Sequence, residues 1–219
     1  EFRRVLFRSY SVYSDKGCTK SVATLTTDGN GNTDIVELRA ATYYVKETKA
    51  PKGFQLDKNT YTLTVKVGET ATLKVSDTPK VTDTLIKLFK IDMETGKASA
   101  QGNASLEGAE FVWKYYDGYY TKDNLPSKPT RTWTTKTKAE KASNNTIHYI
   151  TRLADSYKVS GDSFYTQNGT ICLPIGTITV EEKTAPNGYL LEGAYLQTAG
   201  SSEQIKGVYV AQITEDGEL

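Results

Sequence analysis

Between Tyr10 and Lys80 apolar and polar side chains alternate in short runs, and each run stops at Pro, Gly, Asp or Asn. Period-two alternation places successive side chains on opposite faces of a strand. On that basis "SVATLTT", "TDIVEL", "TYYVKE", "TYTLTVKV" and "ATLKVS" are predicted strands. The first two flank "DGNGN", whose residues suit the positive φ of a hairpin turn. "DTPKVTD" (77–83) reads as a joint, with Pro79 closing one strand system before the next opens. Further strands are predicted at "TLIKLFKID", "LEGAEFVWKYY", "RTWTTKTK", "IHYITRL", "TICLPIGTITVEE" and "GVYVAQIT", with a turn at "METGK". "KAEKAS" reads as a short helix, or with "TKTKAEK" as a solvated, lysine-rich sheet edge. The pattern is all-β: a domain over 10–80 and a larger one over 81–219, the latter with an insertion at about 114–165.

Composition narrows this picture. The 219 residues are 37% hydrophobic and 24% charged, which suits a globular rather than a disordered chain. Fifteen tyrosines fit half-buried strands. A net charge of +1 gives no reason to expect nucleic acid or an acidic membrane as partner, and no apolar run has transmembrane length. Cys18 and Cys172 fall in different predicted domains and are read as unpaired thiols. The opening "EFRRVLFRS" holds three of the six arginines and is similar to translated sequencing adapter. Residues 1–9 are therefore set aside as an artefact. Their three Arg and one Glu contribute +2, leaving the remainder near −1 (1 − 2). The first domain is then expected to lack its opening strand, and the chain stops at "EDGEL" as though cut.

One phrase occurs twice: "YYVKETKAPKGF" at 43–54 and "ITVEEKTAPNGY" at 178–189, 135 positions apart (178 − 43). Parity groups Tyr43, Val45 and Glu47 on one face, and Ile178, Val180 and Glu182 on one face, so in both copies a glutamate follows apolar residues inward. Pro51 and Pro186 end the strand, Gly53 and Gly188 permit a reversal, and Phe54 or Tyr189 can fold back onto the core. The same test groups Ile86, Leu88 and Lys90, and Ala71, Leu73, Val75 and Asp77. Burial raises a carboxyl pKa and lowers an amine pKa. A neutral lysine amine is a nucleophile, and a protonated glutamic acid beside it is a proton shuttle. With a carboxyl or carboxamide in reach, the product is an amide crosslink. The alternative is a strand-end bulge that returns each group to solvent.

"KID–ETGK", "LEGAEF" and the phrase Y-x-V-x-E-x-x-A-P-x-G-[FY] resemble the Cna B-type, or SpaA-like, domains of Gram-positive surface proteins and pilins, over essentially all of 10–219. The resemblance implies two tandem prealbumin-like (Ig-like) β-sandwiches and, in many members, a spontaneous Lys–Asn or Lys–Asp isopeptide bond assisted by a buried glutamate. By that resemblance Glu47 and Glu182 match the assisting acids, Lys90 the reactive lysine and Asp77 the acceptor. The first domain has no matching lysine, and "GVYVAQIT" offers the second no inward Asn or Asp, so that acceptor is expected beyond Leu219.

The implied function is a non-enzymatic structural stalk, pilin-like, on an extracellular cell-wall-anchored protein. It needs no cofactor or metal. Its partners are neighbouring domains of the same protein, a host matrix protein or glycan, and sortase through a C-terminal signal absent from this sequence. A ligand-binding adhesin module using 114–165 is the alternative, and an accessory domain of a carbohydrate-active enzyme a third reading. Other motifs are weaker. "DGNGNTD" lacks the glycine and the bidentate glutamate of a calcium loop. "LPIGT" has the letters of a sorting signal in the wrong order, and the single histidine, His148, gives a zinc site or triad little to build on. "KYYDGYY" reads as an aromatic patch or as a tyrosine-rich strand with a loop.

Overall fold

Strand-forming sequence dominates the computed structural model, which describes residues 8–51, 53–82 and 85–214. The chain divides into two compact units, Glu1–Lys80 and Val81–Leu219. The adapter-like reading of 1–9 falls mostly on residues 1–7, which lie outside the described residues. Ser9 is different: it opens the first strand, one residue inside the stretch set aside.

Unit 1 is built on β1 (Ser9–Tyr13), β2 (Ser21–Thr26), β3 (Ala41–Lys49) and β4 (Thr60–Val65), an antiparallel sheet of order β2-β1-β3-β4. The two central strands bury their inward residues Tyr10, Val12, Tyr43 and Val45, while Leu25, Leu63, Leu73 and Val75 pack around them. Two predicted strands are corrected. "ATLKVS" alternates as expected but pairs as a strand with none of the described residues, and "TDIVEL" returns to its neighbour at a single bridge, Thr27–Thr33. Asp28 explains the second. Its Oδ1 accepts the N–H groups of Asn30 and Asn32, closing a tight Asx turn. The chain then leaves the sheet, with Ile35 81% exposed. The carboxylate is committed to backbone, which also answers the calcium-loop resemblance.

Unit 2 begins with β5 (Val81–Thr82) and β6 (Lys87–Lys90). β7 (Glu110–Tyr116), β8 (Arg131–Lys136), β9 (Lys138–Lys141), β10 (Ile147–Arg152), β11 (Lys158–Gly161) and β12 (Tyr165–Gln167) follow. The series ends with β13 (Thr170–Pro174), β14 (Gly176–Thr184), β15 (Tyr195–Leu196), β16 (Ile205–Lys206) and β17 (Tyr209–Ile213). The main sheet has the order β11-β8-β7-β14-β17, and a second is β6-β10-β9. Smaller sheets are β12-β13-β5 and the β15-β16 pair. Phe111, Trp113, Trp133, Ile178 and Val180 form the core, with Ile86 and Leu88 packed onto it beside β6.

"KAEKAS" is corrected from helix to strand. β9 pairs with β10, and "ASNNT" closes the hairpin, with Asn145 at φ 67° and Ala142 N–H donating to Thr146 O at 2.8 Å. Cross-strand pairing here outweighs the helix propensity of Ala, Glu and Lys. β9 is an edge strand, as its lysines suggested.

The stretch 114–165 is not an appendage. It supplies β8 to β11, and Trp133, Thr135, Thr137, Ile150, Thr151 and Leu153 are buried. Its loop also covers the outer face of β14: Thr177 Oγ1 donates to Gly118 O (2.7 Å) and accepts from Tyr120 N–H (2.9 Å). Both faces of β14 are therefore buried from Gly176 to Val180.

One polar chain runs through this core. Trp113 Nε1–H donates to Thr135 Oγ1 at 2.8 Å, and Thr135 and Thr151 hydroxyls meet at 2.7 Å. Thr135→Val keeps the shape and leaves the buried indole N–H, and the Thr151 hydroxyl, short of a partner. Unit 2 should lose about 2–4 kcal/mol. Urea denaturation followed by tryptophan emission checks this, since both tryptophans lie in unit 2.

Candidate functional site: two buried carboxylates

The repeated phrase folds the same way twice. In each copy the strand ends before the proline. The N–H of the aromatic residue then donates to the proline carbonyl: Phe54 to Pro51 and Tyr189 to Pro186, both at 3.1 Å. Gly53 and Gly188 take φ of 83° and 84°, the left-handed region that glycine adopts without strain. At Gly188 a side chain would also collide, because a Cβ there would lie 2.6 Å from the Ala104 Cβ.

The glutamates lie where parity puts them. Glu47 is 1% exposed behind Tyr43 and Val45. Glu182 follows Ile178 and Val180, with its side chain 9% exposed. The register of β14 against β7 does slip, but between Glu182 and Thr184, too late to turn Glu182 outward.

In unit 2 the structure brings the predicted pair together. Lys90 Nζ lies 2.7 Å from both Oε1 and Oε2 of Glu182, and the lysine side chain is 16% exposed. β6 and β14 belong to different sheets, so this bridge spans the sandwich. A cleft of about 190 Å³ opens beside Glu182, lined by Leu191, Tyr195, Leu196 and Gly207 among others.

In unit 1 the same acid has different company. Tyr10 of β1 stands directly across from Glu47 of β3. Glu47 Oε2 accepts the Asp57 N–H at 2.6 Å, and Oε1 is buried with no hydrogen-bond partner. The Asp77 side chain is fully buried, and Arg8 Nε lies 2.6 Å from its Oδ2. This is a charge contact rather than an aligned hydrogen bond, since neither atom has a hydrogen-bond partner. Burial pushes the Glu47 carboxyl up, the Asp57 N–H opposes that, and the Asp77 charge adds to it. Burial raises Asp77 as well, against the pull of Arg8.

Sequence reasoning found Glu47, Asp77, Lys90 and Glu182. It missed Arg8, which had been set aside, and Asp57, whose backbone N–H carries no sequence signal. It also missed the role of Asp92, although "KID" contains it. Asp92 is 1% exposed, and its carboxylate accepts from Tyr189 OH (2.7 Å), Thr95 N–H (2.7 Å), Thr95 Oγ1 (2.8 Å) and Gln101 Nε2. The Tyr189 hydroxyl above all, then the Thr95 N–H, holds this carboxyl well below the usual range. Cys18 and Cys172 form no disulfide, His148 packs edge-on to Phe89, and no metal-holding cluster occurs among the described residues.

These shifts have opposite consequences for stability. Glu47 and Asp77 bind protons more tightly folded than unfolded, so their contribution is present below the unfolded pKa and is lost as pH rises through the folded values. Glu47→Gln should therefore slow amide exchange in β3 at neutral pH, an advantage that disappears below about pH 4. Asp92 contributes stability above its unfolded pKa, lost as pH falls through the depressed folded value. Asp92→Asn should remove that acid sensitivity from the tryptophan-monitored unfolding of unit 2.

Comparison with known proteins gives these sites a setting. Residues 8–79 match the family model described as SpaA, prealbumin-like fold domain. Among solved structures, the Bacillus anthracis TIE protein is 23% identical with a TM-score of 0.52, over 100% of this chain and 30% of that one. The C-terminal fragment of pilus adhesin SpaC from Lactobacillus rhamnosus GG is 17% identical with a TM-score of 0.46, covering 99% of this chain and 77% of that one. A streptococcal ancillary pilin is 19% identical with a TM-score of 0.27, over 95% and 53% of the two chains. No curated protein matches. The all-β, prealbumin-like fold and the SpaA-like resemblance read from the sequence are thus shown, with the family match resting on the first unit. Among the described residues no helix is long and apolar enough to cross a membrane.

Proposed function

We propose that this chain is a pilin-like structural segment of an extracellular, cell-wall-anchored surface protein, in which Glu47 and Glu182 assist intramolecular amide crosslinks. The observation that carries this reading is the Lys90 amine, 2.7 Å from both carboxylate oxygens of Glu182 inside a sandwich. The pilin and pilus-adhesin names among its structural neighbours agree with the setting. The ligand-binding alternative has no comparable support, because Trp133, Ile150 and Leu153 of 114–165 face inward.

Chemically, the ammonium of Lys90 passes a proton to Glu182, and the neutral amine attacks a carboxamide or carboxylic acid carbon. The C–N bond forms, Glu182 gives its proton to the leaving group and takes up the second proton of the attacking nitrogen, and ammonia or water departs. Each molecule reacts once. This is self-modification without turnover, and so not enzymatic activity. On this reading Asp77 is the acceptor and Glu47 the assisting acid of unit 1, and Arg8, 2.6 Å from Asp77, takes the amine's place. A guanidinium is never deprotonated in a protein and cannot attack.

That arrangement supplies the test. Arg8→Lys should yield a chain lighter by one water in intact mass, through an amide between the introduced amine and Asp77. The parent chain should show no such loss, and adding Glu47→Gln should abolish it. Closing the roughly 70 residues between positions 8 and 77 would add about 4 kcal/mol by loop entropy. A folded Arg8→Lys protein of unchanged mass would overturn the assisting role.

A further inference from the structure

Two bridges join the same two segments of unit 2. Lys90 meets Glu182, and two residues on from Lys90, on the same parity, Asp92 meets Tyr189 at 2.7 Å. No backbone pairing links β6 to β14, so side chains set the distance between them. Tyr189 is itself firmly held. Its N–H bonds Pro186 O, and Asn187 O in the same turn accepts the Ser105 N–H at 2.9 Å. Asp92 is equally constrained, by Thr95 and Gln101 and by its own N–H to Lys97 O at 2.9 Å.

The chemistry proposed for Lys90 makes this second bridge consequential. While lysine is an ammonium and Glu182 a carboxylate, opposite charge holds them together in a site of low dielectric. Once the proton moves, both are neutral and most of that attraction is gone. Geometry at the moment of attack must then come from elsewhere, because misplacement by about an ångström costs orders of magnitude in rate. The Asp92–Tyr189 hydrogen bond does not depend on the charge state of Lys90.

We propose that Asp92 and Tyr189 form a latch that positions Lys90 against Glu182 independently of the charge on that pair. The inference rests on the crosslinking reading for its purpose, but not for its test. In unit 1 the phrase carries Phe54 where unit 2 has Tyr189, so the turn itself accepts a phenyl ring. The latch belongs to the hydroxyl.

The experiment measures acetylation of Lys90 by an activated acetate ester in the intact chain, by peptide mass spectrometry, with exposed Lys183 as internal reference. Tyr189→Phe should raise the Lys90 rate about tenfold, the size expected for one charge-assisted hydrogen bond. Glu182→Gln should raise it too. The double variant should not exceed the larger single effect, since both act on one geometry. An unchanged rate in folded Tyr189→Phe, or additive effects in the double variant, would overturn the latch and leave Tyr189 a stabiliser of the turn. Should Tyr189→Phe lose its folded tryptophan emission, Asp92→Asn carries the same test, because it removes the charge that the hydroxyl bonds. Failure of the Arg8→Lys crosslink would leave these rates untouched, so the two readings fail separately.

Discussion

A carboxylate that strand parity drives into a sandwich must be paired, hydrogen-bonded or neutral, and much of this molecule follows from that requirement. The residues ahead of each glutamate, Tyr43 and Val45 or Ile178 and Val180, are too apolar to face water. The proline four positions beyond prevents the strand from continuing in another register. Between these limits the side chain has one direction to go. Isolated burial would cost several kcal/mol. Around each glutamate the fold therefore collects donors, cations or protons.

The two units meet the requirement differently. In unit 2 an amine from the opposite sheet faces both oxygens of Glu182, and a separate anion, Asp92, is saturated by four donor groups nearby. In unit 1 one backbone N–H serves Glu47, and the remaining positive charge goes to Asp77. Burial is the main cause that raises both carboxyls in unit 1, whereas hydrogen bonds from Tyr189, Thr95 and Gln101 lower Asp92. Difference in burial and in the supply of hydrogen-bond donors, rather than in the acids themselves, separates the two.

Much of this was legible in the sequence, for a definable reason. Alternation is a local signal, so the inward placement of Glu47, Asp77 and Lys90 followed from neighbours one and two residues away. Strand pairing is not local. "ATLKVS" has the right parity but no pairing partner among the described residues, and "KAEKAS" is a strand only because Ile147–Ile150 lies beside it. The same limit hid the Asp92–Tyr189 bond, whose members are 97 residues apart. It also hid how far 114–165 packs into the core. Its polar threonines are core residues whose hydroxyls bond one another, as Thr135 and Thr151 do.

The direction of the Lys90–Glu182 bridge bears on mechanics. Hydrogen bonds between strands of one sheet resist shear along the strands, whereas the faces of a sandwich adhere only through side-chain packing. β6 is a short strand of four residues, paired on one side to β10 and facing the main sheet through Leu88 and Lys90. Tension drawn through the start of unit 2 would reach this strand before the five-stranded sheet behind it. An ion pair there yields by exchange with water, at a rate set by its modest net free energy. The amide proposed above would run from Lys90 to an acceptor other than Glu182, and it would yield only by bond rupture. Lys90 thus links this four-residue strand to the main sheet through a mostly buried polar contact.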